Sequence, residues 1–394
     1  MKPSLNINIR WLLTSTVIHS NHIADSVESN KQPGIWIFPI HAVHSILNTD
    51  LTQRNMCRST NAVTHNEPTN RVAHDDPDAI PPVNVVALLG GVGGAKLASG
   101  LAQLLPPERL TFVVNTADDF EHLGLYISPD LDTVMYTLAG LVNPETGWGI
   151  KDDTWNALAM LARYEAPTWF RLGDRDLATH LLRTQWLREG FPLTWITRQL
   201  CLLLGVRQTL LPMSDAPVRT RVFTDQGELA FQEYFVRCAW QPRVRSIRFE
   251  GIEQAHPTSA VIRALRSADV ILFGPSNPFV SIDPILALPA MRRILGAVRA
   301  PRVAISPIVA GQALRGPAAK MMSELNLEVS PVTVAAHYRD LLTGFVLDHQ
   351  DATCATTIIT QMGIRPLVTD IVMRDKTDCV RLARETLQFA LQQG

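Results

Sequence analysis

The sequence predicts an α/β fold, a doubly wound, mainly parallel Rossmann-like sheet with a helical insertion over the strand carboxyl ends. Three observations carry that expectation. Val83–Leu89 is an unbroken apolar run, as in a strand buried on both faces. The glycine turn Gly90-Gly91-Val92-Gly93-Gly94 follows it and leads into the amphipathic stretch Lys96–Leu105, ended by Pro106-Pro107. Short apolar runs then alternate with helical patterns to the end of the chain.

In order along the chain, Leu110–Val114 reads as a second strand, and Ser128-Pro129-Asp130 opens a helix with Leu131, Val134, Met135 and Leu138 at helical spacing. Residues 152–204 read as mostly helical, within an insertion at about 140–210. Arg219–Val236 reads as a hairpin turning at Asp225-Gln226-Gly227. Further strands are expected at Val270–Phe273, Val303–Ser306, Phe345–Leu347 and Ile371–Met373, and helices at Pro317–Leu325 and Thr377–Leu391.

Residues 1–83 have a different texture. They hold six of the 11 histidines, namely His19, His22, His41, His44, His65 and His74, in no metal-ligand spacing. This stretch reads as an amino-terminal extension, disordered or the product of a start placed too far upstream, ahead of a single domain at 84–394. Thirty-six basic and 37 acidic residues leave a net charge of −1, which argues against a bare nucleic-acid binder. No run of about 18 apolar residues reads as a membrane span. Five scattered cysteines without a CxxC suggest free thiols in a reducing cytoplasm. A homodimer is the default expectation for such an enzyme.

The glycine turn is neither a Walker A loop, lacking Gly-Lys-Ser/Thr, nor a full GxGxxG, because Lys96 takes the third glycine's place. Two readings are open: a phosphate cradle at a helix N-terminus, or a bare strand-to-helix turn. Carboxylates gather where strands end, in Asn115-Thr116-Ala117-Asp118-Asp119 and Asp130-Leu131-Asp132-Thr133. Two carboxylates plus substrate phosphates commonly hold Mg2+, and Asp118 and Asp132 are taken as that catalytic, metal-holding pair. Asp130 suits a helix N-cap as well as a ligand role. The run Arg171–His180 offers arginines that clamp phosphate or carboxylate, or a helix cap with surface ion pairs; His180 alone reads as structural. Small-residue turns at Leu211–Asp215, Gly274–Pro278, Ser306–Ile308 and Gly316–Lys320 suggest a rim of backbone donors around one cleft. Five tryptophans from Trp148 to Trp195 could stack on a planar ligand, although core packing is their commoner use.

These motifs, in this order, resemble the 2-phospho-L-lactate transferase family of coenzyme F-420 biosynthesis (the CofD/FbiA type). The stretches that carry the resemblance are Leu89–Leu97, Val113–Asp119, Ser128–Tyr136, Trp148–Thr154, Leu172–His180, Leu211–Asp215, Phe273–Pro278, Ile305–Ile308 and Gly316–Lys320. The resemblance spans roughly 84–394 and implies a Mg2+-dependent transfer of a phospho-three-carbon acid (phospholactate, phosphoenolpyruvate or phosphoglycerate) from a GMP-linked diphosphate. The acceptor it implies is the ribityl hydroxyl of the deazaflavin Fo (7,8-didemethyl-8-hydroxy-5-deazariboflavin), and GMP leaves. It implies Fo contacts at Asp132 and Arg171, and nucleotide or phosphate contacts at Gly90, Gly91, Gly93, Gly94, Lys96, Ser276 and Asn277. The competing expectation is a nucleotide-sugar-binding regulator of the gluconeogenesis-factor type, which shares the glycine turn and needs no Fo site.

Overall fold

The computed structural model describes residues 80–393. The amino-terminal extension read from the sequence, with its six histidines and Cys57, lies outside the described residues up to position 79. Strand β1 (Val85–Leu89) leads into α1 (Gly91–Leu104), and β2 (Leu110–Val114) into the short hairpin β3 (Phe120–His122) and β4 (Leu125–Ile127). Helices α2 (Pro129–Leu138), α3 (Asn156–Arg163), α4 (Asp174–Arg188) and α5 (Leu193–Leu203) precede β5 (Thr209–Pro212). Then come β6 (Arg219–Thr224), β7 (Gly227–Ala230), β8 (Val244–Glu250), α6 (Ser259–Arg266) and β9 (Val270–Phe273). The chain continues through α7 (Asp283–Ala287), α8 (Met291–Ala297), β10 (Arg302–Ile305), β11 (Ile308–Val309) and β12 (Gln312–Ala313). It closes with α9 (Ala318–Glu324), α10 (Pro331–His337), β13 (Gly344–Asp348), α11 (Cys354–Met362), β14 (Arg365–Thr369) and α12 (Lys376–Leu391).

Seven of these strands form one sheet in the order β14-β13-β10-β9-β1-β2-β5, every neighbour parallel. The order reverses direction between β1 and β9, so the crevice outside their carboxyl ends is the expected ligand position. The apolar run of β1 has a direct explanation. Val85, Ala87 and Leu89 feed one core layer, beneath α1, α2, α5 and α12, and Val86 and Leu88 feed the other, beneath α6 to α10 and the small β7-β6-β8 sheet. Each such leucine, fully withdrawn from water, contributes roughly 1.5–3 kcal/mol.

Three boundaries differ from the sequence expectation. Helix α1 begins at Gly91, so the glycines form its first turn rather than a loop ahead of it. The edge strand β5 begins at Thr209 and runs into the first two residues of the apparent turn at Leu211–Asp215, its pattern too short to stand out. Ile371–Met373 is not a strand. The last strand is Arg365–Thr369, whose Pro366 is tolerated at the sheet edge. The Ile371 N–H donates instead to Asp348 Oδ2 at 3.1 Å, and Ile371 is buried as loop, so apolarity reported burial without pairing. The helical reading of 152–204 and the hairpin turn at Asp225–Gly227 agree with the structure.

Helices α1 and α12 cross at Gly100. A Cβ there would overlap the Cys379 carbonyl, which is backbone and cannot swing aside. Gly100→Ala is expected to lower the unfolding free energy by about 1–3 kcal/mol, measured by urea denaturation. Unchanged stability would mean that the two helices do not meet this closely.

Candidate active site

The switch-point crevice is stitched by one side chain. Ser276 Oγ, in the turn after β9, donates to the Gly90 carbonyl at 2.7 Å and accepts the Gly90 N–H at 3.2 Å. The glycines explain how the two turns come so close. A Cβ on Gly90 would collide with Ser281 and Asp130, and one on Gly93 with the Pro275 carbonyl. Gly94 packs against Ser276 and Leu89. Gly91 differs: its φ of +62° favours glycine, and nothing lies where its Cβ would be. The motif therefore does two things. Three glycines allow backbone packing, and the fourth opens the helix N-terminus, whose first-turn N–H groups lack intrahelical acceptors. No acidic side chain occupies that first turn.

Other residues assigned to phosphate from the sequence have protein partners. Lys96 Nζ donates to the Met373 carbonyl, tying α1 to the loop after β14. The Ser276 hydroxyl is spent on Gly90. Asn277 Oδ1 accepts the Phe279 N–H at 3.0 Å, and its half-exposed amide has only Met321 Sδ, at 3.5 Å.

The end of β2 is a buried carboxylate cluster. Asn115, fully buried, organises it. Its N–H donates to the Leu89 carbonyl, its Oδ1 accepts the Ala117 N–H, and its Nδ2 donates to Asp130 Oδ2 at 3.0 Å and to the Val280 carbonyl at 3.1 Å. Asp130 also accepts the Gly91 N–H, so it joins α2 to α1 and is not the N-cap; Ser128 holds that position. Burial, followed by the charge of Asp130, pushes the Asp118 carboxyl well above the usual range. Asp118 Oδ1 and Asp119 Oδ1 are buried without a hydrogen-bond partner. The other oxygen of Asp119 accepts from Ser128 Oγ at 2.8 Å. The half-buried Arg219 guanidinium lies near Asp119, over the Tyr126 ring at 5.2 Å.

Asp132 is held differently. Both of its oxygens accept from the guanidinium of Arg183, which is 2% exposed, with Nη1 to Oδ2 at 2.9 Å and Nη2 to Oδ1 shorter still. Arg183 Nη1 also points at His180 Nδ1, 3.2 Å away; His180 Nε2 lies 3.2 Å from Asp176; and the Tyr136 hydroxyl donates to Asp176 at 2.7 Å. Helix spacing builds this chain: 132 and 136 share a face of α2, and 176, 180 and 183 share a face of α4.

Arg171 stands apart from these groups. It is exposed, on the connection between α3 and α4, with its guanidinium 4.4 Å above the Trp155 ring. Together they border a groove of about 310 Å3 lined by Leu158, Ala159, Ala162 and Thr168. The nearby acidic residues serve as reciprocal caps. Asp174 accepts the N–H groups of Asn156 and Ala157 at the start of α3, and Asp153 those of Arg175 and Asp176 at the start of α4. Three of the five tryptophans pack in aromatic clusters, Trp169 with Phe120 and Phe170, and Trp186 with Trp195. Trp148 and Trp155 are exposed.

The structure thus brings Gly90, Gly91, Ser276, Asp130 and Asp118 to one crevice, places Asp132 two residues beyond Asp130 on another face of α2, and does not join Arg171 to them. Sequence reasoning missed Asn115 and Arg183. The spacing Asp176-His180-Arg183, which extends the noted motif by one turn, marks a shared helix face but not the residue that this face meets.

A parallel sheet of this order, with polar groups gathered at its switch point, defines a Rossmann-like α/β protein whose ligand position is that crevice. Residues 85–382 match the family model of the 2-phospho-L-lactate transferase CofD, and the chain belongs to that family. It is 42% identical over 314 residues to the phosphoenolpyruvate transferase of Streptomyces griseus, covering 78% of this chain and 98% of the relative. It is 40% identical over 267 residues to the 2-phospho-L-lactate transferase of Methanosarcina mazei, covering 68% and 88%. Among solved structures, a UPF0052-family protein of Bacillus halodurans superposes with a TM-score of 0.53 at 17% identity, covering 78% of this chain and 99% of that one, a likeness of fold. Among the described residues, no helix is long and apolar enough to cross a membrane.

The cluster has a pH signature. Burial pushes the Asp119 carboxyl up to about 7, against the pull of Arg219 and Ser128. An unfolded chain releases that proton near pH 4. Between about pH 4 and pH 7 the folded state holds the extra proton, so this group's contribution to stability is full at acid pH and is lost as pH rises through that window. Urea unfolding at pH 5 and pH 8 is expected to differ less for Asp119→Asn than for the parent protein. An equal difference in both would remove Asp119 as the source.

Proposed function

We propose that this protein transfers a phospho-three-carbon acid from its GMP-linked diphosphate to the ribityl hydroxyl of Fo, as a step in making coenzyme F-420. The observation that carries the reading is the carboxylate cluster with unpartnered oxygens at the switch point of a CofD-family sheet. The diphosphate lies at the N-terminus of α1, where Gly91 leaves room and the helix dipole favours negative charge. The acceptor oxygen forms a bond to the phosphorus that bears the acid, the bond from that phosphorus to the bridging oxygen breaks, and GMP departs with the electron pair. The hydroxyl proton passes to a carboxylate of the cluster. Such a reaction asks the protein for positioning and charge neutralisation.

The residues present fit a divalent cation. Asp118 Oδ1 is buried without a partner beside Asp130, a pairing of like charges that a cation relieves. Asp118 would hold Mg2+, which supplies neutralisation of the phosphate charge. Asp132 suits this role less, since both its oxygens already face Arg183; its part is to orient the acceptor. Arg171 and Trp155 offer a cation and an aromatic face to the planar ring.

Relatives named phosphoenolpyruvate transferase reach 41–45% identity, those named 2-phospho-L-lactate transferase 39–40%, so the phosphoenolpyruvate derivative is the first donor to try. The likeness to the UPF0052 protein extends to the fold and does not favour the regulatory reading.

Incubation with Fo, Mg2+ and each guanylylated acid, followed by mass spectrometry, is expected to give an Fo phosphodiester and GMP. No adduct from any donor would overturn the reading. In the same assay, folded Asp132→Asn is expected to lose at least about 100-fold in kcat. By calorimetry, Arg171→Ala is expected to weaken Fo binding more than GDP binding; equal losses would count against a ring contact.

A further inference from the structure

We propose that Arg183 and His180 are positioning residues for Asp132, holding its carboxylate in one orientation toward the acceptor through the paired hydrogen bonds of Arg183 and the His180 ring that seats its guanidinium. The inference rests on the proposed acceptor role of Asp132 and adds how that role is maintained.

The direction of the chain follows from donor and acceptor chemistry. Arginine only donates, so His180 Nδ1, 3.2 Å from Arg183 Nη1, is an acceptor and carries no proton. His180 Nε2 lies 3.2 Å from Asp176, in contact with it but without hydrogen-bond geometry. Asp176 also accepts from the Tyr136 hydroxyl at 2.7 Å. From α2 back to α2, the order is Tyr136, Asp176, His180, Arg183, Asp132, with hydrogen bonds at every step but the Asp176–His180 contact. Arg183, His180, Asp176 and Asp132 are all 9% exposed or less, so water does not compete for these contacts. The fork of Arg183 fixes the plane of the Asp132 carboxylate. Asp132 therefore meets the attacking hydroxyl as a carboxylate held in one plane.

Arg183→Ala would leave a buried charge without its partner and risks unfolding. Conservative variants separate positioning from folding. Arg183→Lys keeps the charge and loses the fork. His180→Asn keeps an acceptor where Nδ1 stands, and His180→Gln keeps a donor where Nε2 stands. With thermal melting confirming the fold, kcat and both KM values are measured for these three and for Asp132→Asn. Arg183→Lys and His180→Gln are expected to lower kcat about tenfold to a hundredfold and to raise the KM for Fo, with the donor KM within about twofold of the parent. His180→Asn is expected to retain more activity than His180→Gln. If Asp132→Asn is inactive while Arg183→Lys and His180→Gln keep parental kcat and KM, the positioning role is overturned and the role of Asp132 stands. If Asp132→Asn is fully active, the acceptor assignment of Asp132 fails, and this inference with it.

Discussion

Burial of negative charge at one end of the sheet is the constraint to which the rest of the site answers. Asp118, Asp119, Asp130 and Asp132 all lie at 9% exposure or less. Removing ionised carboxylates from water is unfavourable unless each is paired, hydrogen-bonded or protonated. The protein uses all three solutions. Asp132 takes the buried guanidinium of Arg183, Asp130 takes the Asn115 amide and the Gly91 N–H while burial still lifts it to about 6, and Asp118 and Asp119 are pushed toward their protonated forms. Buried carboxyls with raised proton affinity at the switch point mark this end of the sheet as the candidate functional site.

Much of the frame was legible in the sequence because its signals are local. A doubly buried strand shows as a continuous apolar run, and β1, β2 and β9 show it. The glycine turn announced the crevice, since close approach of two backbones demands residues without side chains. The internal duties of those glycines were not legible. The roles of Gly90 and Gly93 depend on Ser281, Asp130 and Pro275, and two of these three lie some 180 residues further along the chain. Apolarity misplaced the last strand at Ile371–Met373, because burial and strand pairing are separate properties that coincide only when the backbone also finds a ladder partner.

Chemistry-bearing side chains were legible as types and less so as pairs. Asp132 stood out by its place two residues into a helix after a strand end. Its partner Arg183 lies 51 positions away on α4, and nothing in the spacing of one helix announces which residue of another will meet it. Lys96 shows the converse. Its position beside the glycines suggested phosphate, and the structure commits it to the carbonyl of Met373, a contact 277 positions distant. Arginine and lysine beside a motif thus fix the charge available to a region and leave open the groups that receive it.

The crossing of α1 and α12 also bears on how the chain is made. The first helix after the glycine turn lays its small-residue face, with Gly100 at the contact, against the last helix. On a ribosome, β1, β2 and β5 can associate early, since all three are complete by residue 212. The face of α1 that meets Cys379 waits for most of the remaining chain. Until α12 emerges, that face is an apolar surface open to whatever else is at hand, and the nascent chain is most exposed to misassociation during the long stretch in which its centre is built and its cover is not. The domain is therefore closed by its carboxyl terminus, and a chain released before that helix would retain most of its sheet and leave one side of its first helix without a neighbour.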